Sequence, residues 1–372
     1  MAYVLVFLSS ILFGYWATRI NPKTNRGLVF LCSLISILIP SILAGLRDVS
    51  LGTDVELYLV PHFETALHTE TFSHYMSLIW QKETGYMLLV FLVAKIFGNI
   101  QWLLFFIEFI IILCVYIGAW KLRKQISLPL VLLVYYLIFY NDTYNLLRQA
   151  IAMAIVFMAV NWLFEKKYVK YLIFVFIAAT FHTTAVMGLI VFVVYYFLEG
   201  ERFRSDISAK TMRGYVLLVC VISGCILLPN IVNALVNMGV LHSRYLMYFV
   251  RESVSNNLSN TLLYLVEIIL VMCFAKVVQN EDSKFVFLKI NLYFTFITLQ
   301  LSQVMYFGYR MSLYFAIINV LLFARITRVS ESKKTNILIS IFVIGLLSVF
   351  WYYLYIVGGV SNTYPYLTYW DA

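Results

Sequence analysis

Five arginines lie apart from the clusters of basic residues in this sequence. The clusters hold 12 lysines and 8 arginines, whereas the basic residues that stand apart are mostly arginine. The five are Arg47, Arg148, Arg244, Arg251 and Arg310. An arginine side chain presents a planar fork of N–H donors that binds a phosphate or a carboxylate through two bonds, and it keeps its charge in a partly dry site. The set therefore predicts a site for an anionic ligand.

Arg148 has the most informative surroundings of the five. It follows the polar turn 141–145 and precedes an apolar segment, so its charge would add to the N-terminus of a helix in attracting an anion. Arg310 follows an apolar span. A single arginine near the membrane surface is explained equally well by contact with lipid headgroups or with a nearby acid. Four of them together favour a ligand-binding role.

Six acidic residues lie in the region 47–85, where only Arg47 and Lys82 oppose them. Acids of this kind usually face solvent, but two of these have surroundings that suit proton transfer. Asp54 follows a glycine and a threonine in a turn-like setting, and Glu83 precedes the start of an apolar helix. Either carboxylate is a candidate to deprotonate a hydroxyl.

His182 is a third candidate for proton transfer, since a histidine carries a proton either way near neutral pH. It lies in an apolar stretch, where a structural histidine that is hydrogen-bonded across helices is an equally good explanation. The surroundings of His62, His68 and His74 predict exposed loop residues.

Two acids, Glu108 and Glu267, fall within apolar spans, where an ionisable side chain is a functional candidate by default. A proton relay through them would suit a transporter. Aromatic residues gather toward the predicted outer side, where they either stack on sugars or form the interfacial belt that any membrane protein has. They include Trp80, Tyr86, Tyr245, Tyr248, Tyr364, Tyr366, Tyr369 and Trp370.

The distribution of charge predicts the topology. Of the 27 Lys and Arg residues, 20 fall in six short loops, which the positive-inside rule places in the cytoplasm. Both termini then lie outside, together with the loops 47–85 and 230–260, which are expected to form the active-site side. The six basic loops are 19–26, 121–124, 166–170, 202–213, 276–289 and 325–334.

Apolar runs of about membrane length predict an all-α polytopic integral membrane protein with about 12 crossings, in a range of roughly 11–13. If residues 86–97 crossed the membrane fully, the next basic loop would fall on the outer side, against the positive-inside rule. We therefore expect an outer half-helix or interfacial helix there. The stretch 169–198 must cross twice, which places His182 at an outer turn. The crossings are roughly 3–18, 27–45, 101–120, 128–140, 149–164, 169–181, 184–198, 214–229, 261–278, 286–303, 309–324 and 336–357.

The composition predicts a single transmembrane domain spanning 1–372. The chain is 63% hydrophobic and 12% charged, and no polar stretch is long enough to fold separately. Its net charge of +9 follows from the cytoplasmic loops, so we expect no nucleic acid as a partner. The cysteines lie in apolar segments without a CxxC pair, a pattern that predicts neither a disulfide framework nor a zinc site.

Six short motifs follow one another along the chain. They are Arg47 with Gly52-Thr53-Asp54 and Tyr58, Glu83 with Gly85-Tyr86, Arg148-Gln149 with Ala152, Phe181-His182, Arg310, and Tyr364-Pro365-Tyr366. In this order, and between these spans, they resemble the EpsG family of Wzy-type bacterial polysaccharide polymerases. The likeness covers nearly the whole chain.

The resemblance implies a GT-C-like glycosyltransferase of the bacterial plasma membrane, with its active site on the periplasmic or extracellular side. Such an enzyme acts on undecaprenyl-pyrophosphate-linked oligosaccharides without a metal or another cofactor. A hydroxyl of one lipid-linked repeat unit attacks the reducing-end sugar of another, and polyprenyl pyrophosphate leaves. The implied partners are the lipid-linked donor and acceptor, membrane lipids and a chain-length regulator protein.

The resemblance also implies roles for the candidate residues. Asp54, Glu83 and His182 serve the acid or base step, and which of them is the base stays open. The binding residues hold the leaving pyrophosphate or an acidic sugar, because the pyrophosphate gains charge in the transition state. They are Arg47, Arg148, Arg244, Arg310, Tyr58, Gln149 and Tyr245, of which Arg244 rests on its outer position alone.

Three other functions compete with this one. A flippase or exporter of lipid-linked oligosaccharides would share the ligand, but its main charges should lie near the membrane midplane, in repeated halves. A polysaccharide ligase is chemically closer, and the sequence barely separates it from a polymerase. A membrane O-acyltransferase would use a buried histidine but would leave the arginines unexplained.

Overall fold

The computed structural model of the chain is helical, and its described residues contain no β-strand. It describes residues 1–80, 83–199, 207–240, 246, 258–275, 283–303, 306–328, 330 and 332–371. These residues form two compact units, the first made of residues 1–186 and 337–372 and the second of residues 187–336.

Fifteen α-helices are named in chain order across the described ranges. They are α1 (Ala2–Arg19), α2 (Arg26–Leu46), α3 (Val60–His68), α4 (Phe72–Leu78), α5 (Thr84–Phe97), α6 (Ile100–Leu122), α7 (Leu128–Tyr135), α8 (Asn141–Phe164), α9 (Tyr168–Phe181), α10 (Met187–Glu199), α11 (Ile207–Asn237), α12 (Leu258–Ala275), α13 (Ser283–Leu301), α14 (Tyr306–Ile326) and α15 (Lys333–Trp351). Short π-helices precede α3 (Val55–Leu59), join α7 to α8 (Tyr136–Tyr140) and follow α15 (Tyr352–Val357).

Eight helices in the described ranges are long and apolar enough to cross a membrane, if the stretch 128–164 is counted as one. Four shorter apolar helices accompany them. The prediction of an all-α, multi-pass membrane protein is therefore confirmed, while the number of about 12 crossings and the GT-C-like arrangement stay predictions.

Contacts between small residues fix the directions of the first helices. Ser10 of α1 and Ser36 of α2 exchange hydrogen bonds of 2.6 and 2.8 Å between hydroxyl and carbonyl groups. Tyr116 bonds Ser33 at 2.8 Å, and a Cβ on Gly45 would lie 2.8 Å from a side-chain atom of α6 near its start. Because α2 is antiparallel to both α1 and α6, the start of α1, the end of α2 and the start of α6 meet at one end of the first unit. We call it the Arg47 end.

Helix α7 runs toward the Arg47 end. Just past its middle, Leu132 lies against Gly14 of α1, where an added Cβ would be 3.1 Å from the leucine side chain. Beyond its end, the Tyr140 hydroxyl donates to the carbonyl of Pro40 at 2.6 Å. Gly14 is near the far end of α1 and Pro40 is in the last turns of α2, so the two contacts give the direction.

Helix α8 runs back, parallel to α6. The Thr143 hydroxyl lies 2.8 Å from the Glu108 carboxyl in the first half of α6, and the Asn161 amide donates to the Gly118 carbonyl at 3.0 Å in the second half. The chain therefore reverses in the polar residues 141–147, where Leu147 has non-helical backbone angles (φ 14°, ψ −81°). Helical residues cover the predicted crossings 128–140 and 149–164, and the turn between them is helical up to the kink at Leu147.

The basic loops of the first unit lie opposite to the Arg47 end. The loops 19–26, 121–124 and 166–170 join the far ends of α1 and α2, α6 and α7, and α8 and α9. Lys121 lies 4.3 Å above the ring of Trp162, which brings the ends of α6 and α8 together. This grouping agrees with the cytoplasmic side predicted from charge.

Helix α5 stays at the Arg47 end. Its 14 residues span about 21 Å, less than the ~30 Å of a bilayer core. Glu83, which precedes it, contacts Arg148, and its last residue, Phe97, is three positions before the start of α6. The half-helix or interfacial helix predicted for 86–97 suits this length and stays a prediction. The region 47–85, predicted as an outer loop, contains α3 and α4.

The C-terminal segment that follows α15 folds across the Arg47 end. The backbone N–H of Asp48 donates to the carbonyl of Leu367 at 2.9 Å, and that of Tyr369 donates to the carbonyl of Leu46 at 3.0 Å. These bonds make an isolated antiparallel bridge at Arg47. The end of α2 is therefore covered by residues more than 300 positions away.

The second unit contains α10 to α14. Its α13 and α14 share a buried polar network, in which the Asn291 amide donates to Asn319 at 2.6 Å and the Asn319 amide donates to Thr295 at 2.8 Å. Arg310 lies in the first part of α14. Most of the predicted outer loop 230–260 falls outside the described residues.

Candidate functional site

Three predicted site residues meet in the first unit at one carboxylate. One carboxylate oxygen of Glu83 accepts a hydrogen bond from Arg148 Nη1, and the other lies 2.6 Å from His182 Nδ1. That second oxygen is also 3.4 Å from the backbone N–H of Thr183. Residues 65 and 99 positions apart along the chain therefore form one charged cluster.

A glycine allows Glu83 and His182 to approach each other. Gly85 lies in the first turn of α5, and a Cβ added there would come within 2.3 Å of the Thr180 hydroxyl in the last turn of α9. His182 follows α9 directly in an extended conformation, which turns its ring out of the helix axis. The motif Glu83-x-Gly85 thus combines the acid with the residue that brings the two helices into contact.

A second glycine positions the turn that carries Arg148. Gly52 has φ +96°, in the left-handed region that favours glycine, and an added Cβ would lie 2.6 Å from the Tyr144 carbonyl. The next two residues bond to the side chain of Asn145, through the Thr53 hydroxyl at 3.3 Å and the Asp54 backbone N–H at 3.4 Å. The Gly-Thr-Asp motif therefore packs on the reversal that precedes Arg148.

Exposure distinguishes the three members of the cluster. The side chain of Arg148 is 25% exposed, whereas that of Glu83 is 9% exposed. Burial alone would raise the pKa of Glu83, but the hydrogen bond with His182 and the charge of Arg148 outweigh it, and the pKa lies below its ordinary value. Glu83 is therefore ionised at neutral pH, and Arg148 is the member best placed to contact a ligand.

His62 is a further histidine whose surroundings differ from those that the sequence predicted. It lies in α3 and is half-buried, and both its burial and the charge of Arg148 lower its pKa. The expectation of an exposed loop residue is wrong for His62, because α3 forms there and leaves the side chain half-buried, one turn after Tyr58. His68 and His74 are exposed, as predicted, but they lie in α3 and α4, where loops were expected. The spacing of four residues between Tyr58 and His62, one helical turn, was the one signal in the sequence for this placement.

Arg47 lies behind the cluster. It is only 1% exposed, and its guanidinium carbon is 3.7 Å from the centre of the Tyr144 ring. The guanidinium of Arg148 is 6.0 Å from the ring of Tyr86, and the charges of both arginines act on that tyrosine. Two of the predicted arginines are thus brought near one another, one at the surface and one buried beneath the C-terminal segment.

The remaining predicted site residues have varied positions. Asp54 is half-buried at the start of the π-helix before α3, and Tyr58 in that helix is exposed. Gln149, next to Arg148, is buried. Arg310 belongs to the second unit. Arg244 and Tyr245 lie outside the described residues, where His242, Tyr248 and Arg251 also fall.

No set of three or more His, Cys, Asp or Glu side chains in the described ranges is arranged to hold a metal ion. Glu83 is instead paired with both His182 and Arg148. What the arrangement offers chemically is a cation for an anionic group and a carboxylate that orients an imidazole.

Comparison with protein families gives one match. The model of the EpsG family matches residues 30–368, most of the chain. No curated protein matches, and no solved structure matches. The resemblance noted from the motifs is thereby confirmed.

Proposed function

Because this chain belongs to the EpsG family, we propose that it is a glycosyltransferase that joins undecaprenyl-pyrophosphate-linked oligosaccharide repeat units into a surface polysaccharide. Family membership points to a polymerase of polysaccharides in a multi-pass membrane protein. The observation that carries the finer proposal is the cluster in which one buried carboxylate contacts both Arg148 and His182.

The proposed reaction is a displacement at the reducing-end sugar of the donor. The acceptor hydroxyl oxygen forms a bond to the anomeric carbon. The bond from that carbon to the pyrophosphate breaks, and its electron pair goes to the leaving polyprenyl pyrophosphate. The acceptor proton passes to a base in the site. Charge therefore grows on the pyrophosphate as the bond breaks, and a fixed cation near it lowers the barrier.

Arg148 is the cation assigned to the pyrophosphate. It is the exposed member of the cluster, and it follows the kink at Leu147, so it begins the straight part of α8. Helix N-termini and arginine forks both favour phosphate. Arg47 is buried, but its positive charge acts on Tyr86 and adds to the positive potential of the site. These charges supply what a metal would otherwise supply, which supports metal-independent transfer.

His182 is assigned as the proton acceptor and Glu83 as the group that orients it. A neutral imidazole that donates through Nδ1 to a carboxylate presents Nε2 as the basic atom. Glu83 is itself a weaker base, because its pKa lies below the ordinary value and its charge is shared with Arg148. Asp54 is the second candidate for the base, since its backbone is held by the turn that precedes Arg148.

The proposed location is the bacterial plasma membrane with the Arg47 end facing the periplasm or the cell exterior. Three basic loops at the opposite end of the first unit support this orientation through the positive-inside rule. The lipid-linked oligosaccharide would be both donor and acceptor, membrane lipids would surround the chain, and a chain-length regulator protein would be a further partner.

Arg148→Ala tests the proposal in a reconstituted reaction. Purified protein in detergent is incubated with lipid-linked repeat units, and products are separated by length. We expect a ladder from the wild type and none from Arg148→Ala. Lys167→Ala is the matched control, because Lys167 forms an exposed ion pair with Glu165 at the basic end. A full ladder from Arg148→Ala contradicts the role of Arg148. Transport of the lipids without any ladder from the wild type would instead indicate a flippase, and transfer to a non-repeat acceptor would indicate a ligase.

A further inference from the structure

Arg47 and Glu108 are two buried ionisable side chains close to the site. Each is 1% exposed, Arg47 at the end of α2 and Glu108 in the first half of α6. Among the described residues, Arg47 Nε and Nη2 have no hydrogen-bond partner, and neither has Glu108 Oε1. A buried guanidinium stays charged, and a buried charge without compensation is costly. An ionised Glu108 would compensate the charge of Arg47, and the charge of Arg47 favours that ionised form against the effect of burial.

Consecutive residues of the chain reversal hold the two side chains. Tyr144 stacks on the Arg47 guanidinium at 3.7 Å, and Thr143 lies 2.8 Å from Glu108 Oε2. The charge of Arg47 acts on Glu108, although the two do not form a direct ion pair. Both contacts fall within five residues of Arg148. Arg47 and Glu108 thus both contact the turn that sets the position of Arg148.

The bond from Thr143 cannot satisfy Glu108 by itself. The same hydroxyl lies 2.6 Å from the carbonyl of Tyr140, and a hydroxyl has one proton to donate. Two acceptors therefore compete for that proton. One oxygen of Glu108 has a shared bond and the other has none among the described residues. For the ionised acid, the positive charge of Arg47 is a further source of stabilisation.

We propose that Arg47 and Glu108 form a buried charge couple that positions Arg148. Glu108 is a positioning residue that acts through Thr143, and Arg47 acts through Tyr144. The Gly52 loop packs on the same Tyr144, so the couple also supports the turn that carries Asp54. The functional part of this proposal rests on the proposed role of Arg148 in binding pyrophosphate.

A thermal double-mutant cycle tests the couple without any activity measurement. The variants are Arg47→Gln, Glu108→Gln and both together, in the full-length protein in detergent. Each single change should lower the melting temperature by about 5 °C or more, because it leaves one buried charge uncompensated. The double variant should lose much less than the sum of the two.

Glu267→Gln is the matched control for this cycle. Glu267 is also a fully buried acid, and neither of its oxygens has a partner among the described residues. It lies in α12 of the second unit, so its effect should simply add to that of Arg47→Gln. Additive losses for Arg47→Gln and Glu108→Gln would overturn the couple.

The positioning of Arg148 has a separate test, in which inorganic pyrophosphate is the probe. Thr143→Val and Glu108→Gln should weaken pyrophosphate binding about tenfold, the effect of losing one charged contact. Thr143→Ser keeps the hydroxyl and should bind as the wild type does. Unchanged affinity in Thr143→Val overturns the positioning role.

A wild type that does not bind pyrophosphate contradicts the proposed function but leaves the couple to be judged by the thermal cycle. Positioning is then judged from the melting temperatures of Thr143→Val, Arg148→Ala and the double variant. Their effects must be non-additive if Thr143 sets the place of Arg148, and additive effects refute the inference.

Discussion

Replacing Glu83 by glutamine perturbs the cluster at its shared member. Glutamine has nearly the shape of glutamate and keeps one side-chain oxygen as an acceptor, but it carries no charge. Arg148 would lose the anion that it contacts, and the His182 ring would lose the carboxylate that fixes its orientation. The backbone contact of Gly85 with α9 is unchanged by this substitution, so the helices should still meet.

The size of the effect follows from burial. Breaking a fully buried charge pair costs about 3–5 kcal/mol. The Arg148 side chain is 25% exposed, so water compensates part of the loss, and we expect about 2 kcal/mol of stability to be lost. In a protein of this size that is a fall of roughly 3 °C in melting temperature. The rate should fall about 100-fold or more, because an unoriented base contributes little.

The assay measures both quantities on the same preparation. Melting temperature in detergent reports stability, and the saccharide ladder at a temperature well below melting reports the rate. Glu70→Gln is the control, since Glu70 is an exposed acid between α3 and α4. We expect the control to match the wild type in both measurements. A Glu83→Gln variant that polymerises at the wild-type rate while folded would refute the assignment of Glu83 as the orienting group.

Three further predictions concern acidity, packing and topology. The lowered pKa of Glu83 stabilises the native state above the ordinary value of 4.5, and this contribution disappears as the pH falls through the lowered pKa; the melting temperature should therefore fall more steeply below pH 4.5 in the wild type than in Glu83→Gln. Gly85→Ala forces a Cβ to within 2.3 Å of an α9 side chain and should abolish the ladder, whereas Gly345→Ala, with nothing within 4 Å, should not. A cysteine at position 70 should react with an impermeant thiol reagent on intact cells and one at position 167 only after permeabilisation, and the reverse pattern would contradict the orientation.

Local features of the sequence predicted much of the first unit. Basic loops identify one end because Lys and Arg are retained on one side of a membrane during insertion. Glu83 and Gly85 could be singled out because an acid before an apolar helix and a glycine in its first turn are unusual near neighbours. The half-helix at 86–97 was predicted because a full crossing there conflicts with the side that the positive-inside rule assigns to the basic loops. Each of these inferences depends on residues a few positions apart or on a rule of insertion.

Long-range packing was beyond the reach of such patterns. The burial of Arg47 results from bonds to residues near 367 and from the ring of Tyr144, and nothing in the residues around position 47 indicates either partner. His62 was expected in an exposed loop because 47–85 is polar, yet α3 forms there, and burial together with the charge of Arg148 lowers the pKa of His62. The helical conformation of residues 141–146 was likewise hidden, since Asn and Asp favour loops locally.

The two histidines near Arg148 are suited to different tasks because their neighbours differ. His182 contacts the carboxylate of Glu83, and a nearby anion stabilises the imidazolium that forms when the ring accepts a proton. His62 faces the positive charge of Arg148, which together with burial lowers its pKa and opposes protonation. His62 therefore favours a neutral role, such as a hydrogen bond to a sugar hydroxyl, while His182 can take up the proton of an acceptor. Under the proposed function, His182 would accept the proton and Arg148 would stabilise the leaving pyrophosphate, so the two tasks fall to different side chains that share the carboxylate of Glu83.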